Sequence, residues 1–232
     1  MTPLSLSPDE WQAVRLTLLI AARAVGFGLP VAIVVAFILA RLRFPGRALL
    51  DTVVHLPMVL PPVVVGWLLL LLFGVRGPVG AWLLAAFGVR LVFTSTGASL
   101  ACAVMSFPLM VRAIRLSLEA VDPGVIEAAR TLGARGVDRF FTVMLPLALP
   151  GVVVGAVVAF AACLGEFGAV ITFAANIPGE TQTLPLAIYA ALQSPGGEQT
   201  AARLSLVSIG LAVLALLVAE ALGRRLRAQV GR

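Results

Sequence analysis

Few residues in this chain could do chemistry. Glu166 is a carboxylate set deep in a long apolar run, flanked by Gly165 and, after Phe167, by Gly168. An ionised carboxylate in such a setting costs about 2.5–3.5 kcal/mol on membrane-insertion scales, which makes it a functional candidate by default. An acid is a poor host for an anion, so a gate or an interhelix hydrogen bond is the expected role, and the flanking glycines predict a helix break. Arg23, about a third of the way into the first apolar run, is the one cation placed where it could meet an anion; snorkelling to the headgroups is the competing expectation. A single histidine, His55, cannot build a histidine-based metal cluster, and Cys102 and Cys163 sit in apolar stretches where a thiol behaves as a small hydrophobe. No metal, no cofactor and no catalytic residue is expected, because no Ser/His pair, acid pair or metal constellation falls within one stretch.

The elements that must hold these residues are apolar. The 232 residues are 60% hydrophobic and 12% charged, with a mean hydropathy of +1.06, which excludes a water-soluble globule. All 17 basic residues are arginine. Without lysine there is no Walker A loop of the usual kind and no Schiff-base lysine. The net charge of +6 is scattered among apolar runs rather than gathered on a polar domain, which argues for membrane lipid and against nucleic acid as a partner. Residues 1–10 lack a basic stretch and carry Asp9 and Glu10, so a cleaved secretory signal is not expected.

A helix needs about 20 apolar residues to cross the hydrocarbon core. Five runs qualify, about 14–40, 48–73, 94–111, 146–173 and 202–222, and the simplest parse is a single membrane domain over 1–232 with a core of about 11–222. The expected fold class is all-α, a polytopic helical bundle. Arginines fix its orientation, because short cytoplasmic loops retain them. Arg41, Arg43 and Arg47, then Arg112, Arg115, Arg130, Arg135 and Arg139, then Arg224, Arg225, Arg227 and Arg232 give twelve on one side, against Arg76 and Arg90 on the other. The N-terminus is therefore expected outside and the C-terminus in the cytoplasm. Interruptions are visible at Pro57, at Leu60-Pro61-Pro62 and, in the first run, at Gly26, Gly28 and Pro30. Broken helices point to a translocation path, since only protein or a water-filled cavity satisfies the freed carbonyls, with a simple kink that shapes packing as the competing reading.

The loop over about 119–146 is the richest in signals. Asp122 before Pro123 predicts a helix start and Gly133 a helix stop. Between them Val125, Ala129 and Leu132 share one face, and Glu127 and Arg130 form an i, i+3 pair. A helix of about ten residues is marginal alone in water, so it needs a surface to pack on. The small Ala128 and Ala129 permit close approach by another protein, with a solvated connecting helix that touches nothing as the competing reading. After a break, Val137, Phe140, Phe141, Met144 and Leu145 follow helical spacing along the membrane surface and lead into Pro146.

Glu127-Ala128-Ala129, then Gly133, then Leu145-Pro146 resemble the EAA loop of permease subunits of bacterial ABC importers. Further blocks over nearly the whole chain are similar to the molybdate permeases: Phe44-Pro45-Gly46-Arg47, His55-Leu56-Pro57, Leu60-Pro61-Pro62, Met105-Ser106-Phe107-Pro108, Leu164-Gly165-Glu166-Phe167-Gly168 and Asn176-Ile177-Pro178-Gly179-Glu180-Thr181. Sulfate and thiosulfate permeases share several of these blocks but are usually longer, and tungstate remains an alternative cargo. The resemblance implies a type I importer permease fold in the bacterial cytoplasmic membrane, working as a homodimer with two cytoplasmic ATP-binding subunits and an extracytoplasmic molybdate-binding protein. ATP and Mg would then be bound by the partner only. It implies coupling through Glu127, Ala128, Ala129, Arg130, Gly133, Leu145 and Pro146.

The path or gate candidates are Glu166, Gly165, Gly168, Pro61, Pro62 and Arg23. Pro178, Gly179, Glu180 and Thr181 could meet the binding protein or form the outer gate, with an ordinary outer loop as the competing reading. His55 is expected to be a packed or hydrogen-bonded histidine, and Trp11, Trp67 and Trp82 interfacial anchors or packing residues. A stand-alone channel or secondary transporter is the alternative from another class.

Overall fold

The computed structural model describes residues 6–230, with side chains described as far as Arg225. Arg232 lies outside the described residues, and Arg227 outside the described side chains. Among the described residues every regular element is helical.

Helix α1 (Pro8–Arg41) opens on a capping box. Ser7 Oγ accepts from the Glu10 amide at 3.2 Å, and the Ser7 amide donates to Glu10 Oε2 at 2.6 Å. The helix runs unbroken through Gly26, Gly28 and Pro30, where an interruption was expected. One isolated proline removes one hydrogen bond but keeps a helix-compatible φ. Two prolines in succession act differently. Leu60 (ψ 144°) and Pro61 (ψ 134°) each precede a proline and are each forced extended, so α2 (Arg47–Val59) and α3 (Pro62–Phe73) meet at a bend of 117°. The expected span 48–73 is thus a bent pair, each arm about 20 Å long and short of the hydrocarbon core.

A helix not expected from hydropathy, α4 (Pro78–Phe87), precedes α5 (Ser95–Glu119). Thr94 starts α5 by accepting from the Gly97 amide at 3.1 Å. It passes the expected end at 111 because Arg112, Arg115 and Glu119 continue the helix into the arginine-rich end. There follow α6 (Pro123–Thr131), α7 (Gly136–Arg139), a π-helical turn over Phe140–Met144 and α8 (Leu145–Leu164). The chain then breaks at Gly165–Phe167 and continues as α9 (Gly168–Ala174), α10 (Leu184–Leu192) and α11 (Glu198–Val230). The expected run 146–173 is therefore α8 and α9 with an interruption between them.

Four helical stretches, Pro8–Arg41, Ser95–Glu119, Gly136–Leu164 and Glu198–Arg225, are long and apolar enough to cross a membrane, and the bent pair makes a fifth if it counts as one span. Helix α5 lies at the centre, between α1 and α8, with α11 against α8 and α10, and α3 against α9. Small residues bring these axes close. Gly151 of α8 lies against Ala113 and Ser117 of α5, and a Cβ on Gly66 of α3 would lie 2.7 Å from the Ala169 carbonyl of α9. Three apolar cores result, one around Ile20, Val65, Cys102 and Phe173, one around Ala36, Leu39, Met110, Ile114 and Leu118 at the arginine-rich end, and a smaller one around Val14, Leu184 and Leu204.

Candidate functional site

The connection from α5 to α8 presents an apolar face with nothing on it. Asp122 Oδ1 accepts from the Gly124 amide at 2.7 Å and starts α6, Pro123 fills its first turn, and Gly133 (φ 86°) ends it in the left-handed conformation that glycine permits. No residue of α6 is buried. Ile126, which lies off the Val125–Leu132 face, packs on the molecule's own core. Val125 and Leu132 remain 44% and 88% exposed, and Val137 and Phe141 further along the connection are exposed as well. Glu127, Ala128 and Arg130 are exposed and Ala129 half-buried, with Arg130 Nη1 3.7 Å from Glu127 Oε1. Leu145 and Pro146 lie apart from α6, in the first turn of α8, where Leu145 packs on the inner core.

The two helix breaks meet at a cavity of about 250 Å³, lined by Pro57, Leu60 and Pro62 from the α2–α3 bend, by Cys102, Met105 and Ser106 of α5, and by Cys163 and Glu166 beside the second break. One carboxylate oxygen of Glu166 accepts from the Ala169 amide at 2.9 Å. It therefore caps α9 rather than bridging two helices, as an acid at a helix N-terminus should. Gly168 brings this turn against Pro62 and Val63, where a Cβ would lie 2.8 Å from the Pro62 Cβ. The Cys163 thiol donates to the Cys102 carbonyl at 3.6 Å and to Ser106 Oγ at 3.5 Å, so polar groups line a mainly apolar chamber. Pro61 starts α3 at the bend. Arg23 instead points to the first turn of α5, donating from Nη1 to Ser95 Oγ at 3.3 Å.

Toward the arginine-rich end, α2 and α5 are joined by an ionic network that spacing along the chain did not reveal. Arg115 Nη1 lies 3.1 Å from both carboxylate oxygens of Asp51, and its Nε donates to Glu119 Oε1 at 2.8 Å. His55 Nδ1 lies 3.2 Å from Asp51 Oδ1 and 2.8 Å from the Asp51 carbonyl. The i, i+4 step from Arg115 to Glu119 was visible in the sequence; the partner across the bundle was not.

At the opposite end, the turn after α9 is held by its own atoms. Thr181 Oγ1 accepts from the Ile177 amide at 2.9 Å and donates to the Ala175 carbonyl at 3.1 Å, and this residue is wholly buried. Thr181 is thus a strut, unavailable to a partner, while Pro178, Gly179 and Glu180 are exposed at the tip. Glu10, at 5% exposure, pairs with Arg203 at 2.7 Å and fastens α1 to α11 nearby. Trp11, Trp67 and Trp82 are all exposed.

A helical bundle with a bent helix pair, a chamber at the breaks and, on its arginine-rich side, an amphipathic helix that buries none of its residues defines a class of transport subunit. Residues 28–228 match the family described as binding-protein-dependent transport system inner membrane component, and the chain belongs to that family. It is 58% identical over 227 residues to the molybdenum transport system permease protein ModB of Escherichia coli (strain K12), covering 98% of this chain and 99% of that one. The corresponding protein of Haemophilus influenzae is 50% identical over 96% of this chain and 97% of its own. The sulfate transport system permease protein CysT of Escherichia coli is 42% identical over 81% of this chain and 67% of its own. Among solved structures, a bacterial ABC transporter that imports the acidic polysaccharide alginate superposes with a TM-score of 0.74 over 95% of this chain and 80% of that chain at 20% identity. The MetNI methionine ABC transporter in an inward-facing form gives 0.71 over 96% and 99% at 18% identity. These likenesses show the fold.

Proposed function

We propose that this chain is the membrane-spanning half of an ABC importer for molybdate. Two copies form the passage, two ATP-hydrolysing subunits grip the paired α6 helices, and a binding protein delivers the oxyanion at the end where Pro178, Gly179 and Glu180 are exposed. The observation that carries the substrate is end-to-end identity: 58% over 98% of the chain to a molybdenum permease, against 42% over 81% to a sulfate permease. The chain has no lysine and hence no P-loop of the usual kind, so a partner must supply the energy. Val125 and Leu132 give that partner an apolar foothold, with Glu127 and Arg130 beside it to set register. Nucleotide-driven closure of the partner pair draws the two α6 helices together, and the breaks at Leu60–Pro61 and Gly165–Phe167 let the spans tilt between inward-open and outward-open arrangements without a continuous pore.

The test is reconstitution in proteoliposomes with the ATP-hydrolysing subunit and the molybdate-binding protein. The reading expects ATP hydrolysis stimulated by the molybdate-loaded binding protein. Transport that proceeds without any P-loop partner would favour a channel or secondary transporter instead.

A further inference from the structure

Arg41, the last residue of α1, reaches across to the far end of α5. Its Nη2 donates to the Leu118 carbonyl at 2.6 Å and lies 3.4 Å from the Val121 carbonyl. These two acceptors flank a joint: Leu118 is in the last turn of α5, and Val121 immediately precedes Asp122, the residue that starts α6. Carbonyls at a helix C-terminus have lost their intrahelical partners and carry the negative end of the helix dipole, so a guanidinium is favourable there. One terminal nitrogen of the guanidinium reaches both acceptors. The Nε of Arg41 is buried with no hydrogen-bond partner, so the group has given up solvation to hold this position.

Packing at the joint is light. Helix α6 buries no residue, its half-buried Ile126 rests on the core, and Val121 is the one buried residue of the 120–122 link to α5. A three-residue hinge held by so few contacts would let α6 swing while α5 stayed still. We infer that Arg41 is a positioning residue that locks α5 and α6 into one lever, so that force applied to α6 is delivered to α5 rather than lost in the joint. From α5 the movement passes through Arg115 to Asp51 on α2, and α2 ends at the bend that lines the Glu166 chamber. This inference rests on the reading of α6 as the face gripped by an ATP-hydrolysing partner.

The test compares wild type, Arg41→Gln and Arg41→Lys in the complete transporter, reading molybdate imported per ATP hydrolysed. Arg41→Gln is expected to lower that ratio about fivefold or more, the lower range of ordinary coupling free energies, with co-purification of the ATPase unchanged. Arg41→Lys keeps the charge and retains most of the ratio. An unchanged ratio in Arg41→Gln, or uptake and hydrolysis falling in proportion, overturns the lever. Spin labels at Leu116→Cys and Thr131→Cys, both exposed, test the same joint with Arg41 intact. One unchanged distance in nucleotide-free and ATP-bound complexes supports it, and a shift between them overturns it even if the Arg41 variants fail to accumulate. Absence of ATP-dependent uptake by the wild type would instead remove the reading of α6 itself.

Discussion

Helices α6 and α9 are close in length, nine and seven residues, yet they sit in opposite surroundings. Helix α9 buries Gly168, Ala169, Val170, Phe173 and Ala174, and α3 lies directly against it. Helix α6 buries nothing and leaves Leu132 at 88% exposure on the arginine-rich side. Apolar residues in α9 are satisfied by the chain itself, so that helix serves as framework for the chamber at the breaks. Of those in α6, Ile126 rests on the core while Val125 is left exposed, as is Leu132 at the helix end, so under the proposed function that helix is a handle. Position relative to the bundle, and not apolar content, separates the two roles.

Substitutions on the two helices should therefore part company in what they damage. The largest effect is expected for Phe173→Ala, a wholly buried ring, at about 3–5 kcal/mol of stability; an unchanged melting temperature in detergent would remove α9 from the framework. Gly66→Val, which thrusts a side chain at the Ala169 carbonyl, should cost about 1–3 kcal/mol by overpacking in the same assay. Leu132→Ser on α6 should leave melting untouched and weaken ATPase binding about tenfold, near 1.4 kcal/mol; a drop in melting temperature with intact binding would reverse the assignments. Glu166→Ala should cost about 1 kcal/mol by uncapping α9, with Glu166→Gln restoring much of it through its amide oxygen. Smallest is Arg130→Ala, whose partner Glu127 is also largely exposed; thermal stability should change by less than about 0.5 kcal/mol.

Local chemistry was legible in the sequence wherever it is decided by neighbours along the chain. Asp122-Pro123 and Gly133 bound α6 because a cap, a first-turn proline and a left-handed stop act within a few residues. The Gly165–Gly168 interruption is of the same kind. Hydropathy located the apolar runs but could not distinguish one proline from two. Pro30 is absorbed within α1, whereas Pro61-Pro62 turns the chain by 117°. Contacts across the bundle left no mark on spacing. Asp51 with Arg115, Arg41 with the end of α5, and the seat of Ile126 on the inner core all depend on how helices pack. Thr181 shows the converse error: a polar residue in an outer loop looked available to a partner, and its hydroxyl is spent inside the turn.

The most direct test of the account is uptake of radiolabelled molybdate into proteoliposomes that hold this chain with its ATPase, with binding protein and ATP supplied and unlabelled sulfate as competitor. The account predicts accumulation that requires ATP, falls up to about tenfold when Leu132 is replaced by serine at limiting ATPase, and survives an equal concentration of sulfate. Sulfate outcompeting molybdate at equal concentration, or accumulation that persists without ATP, would contradict it.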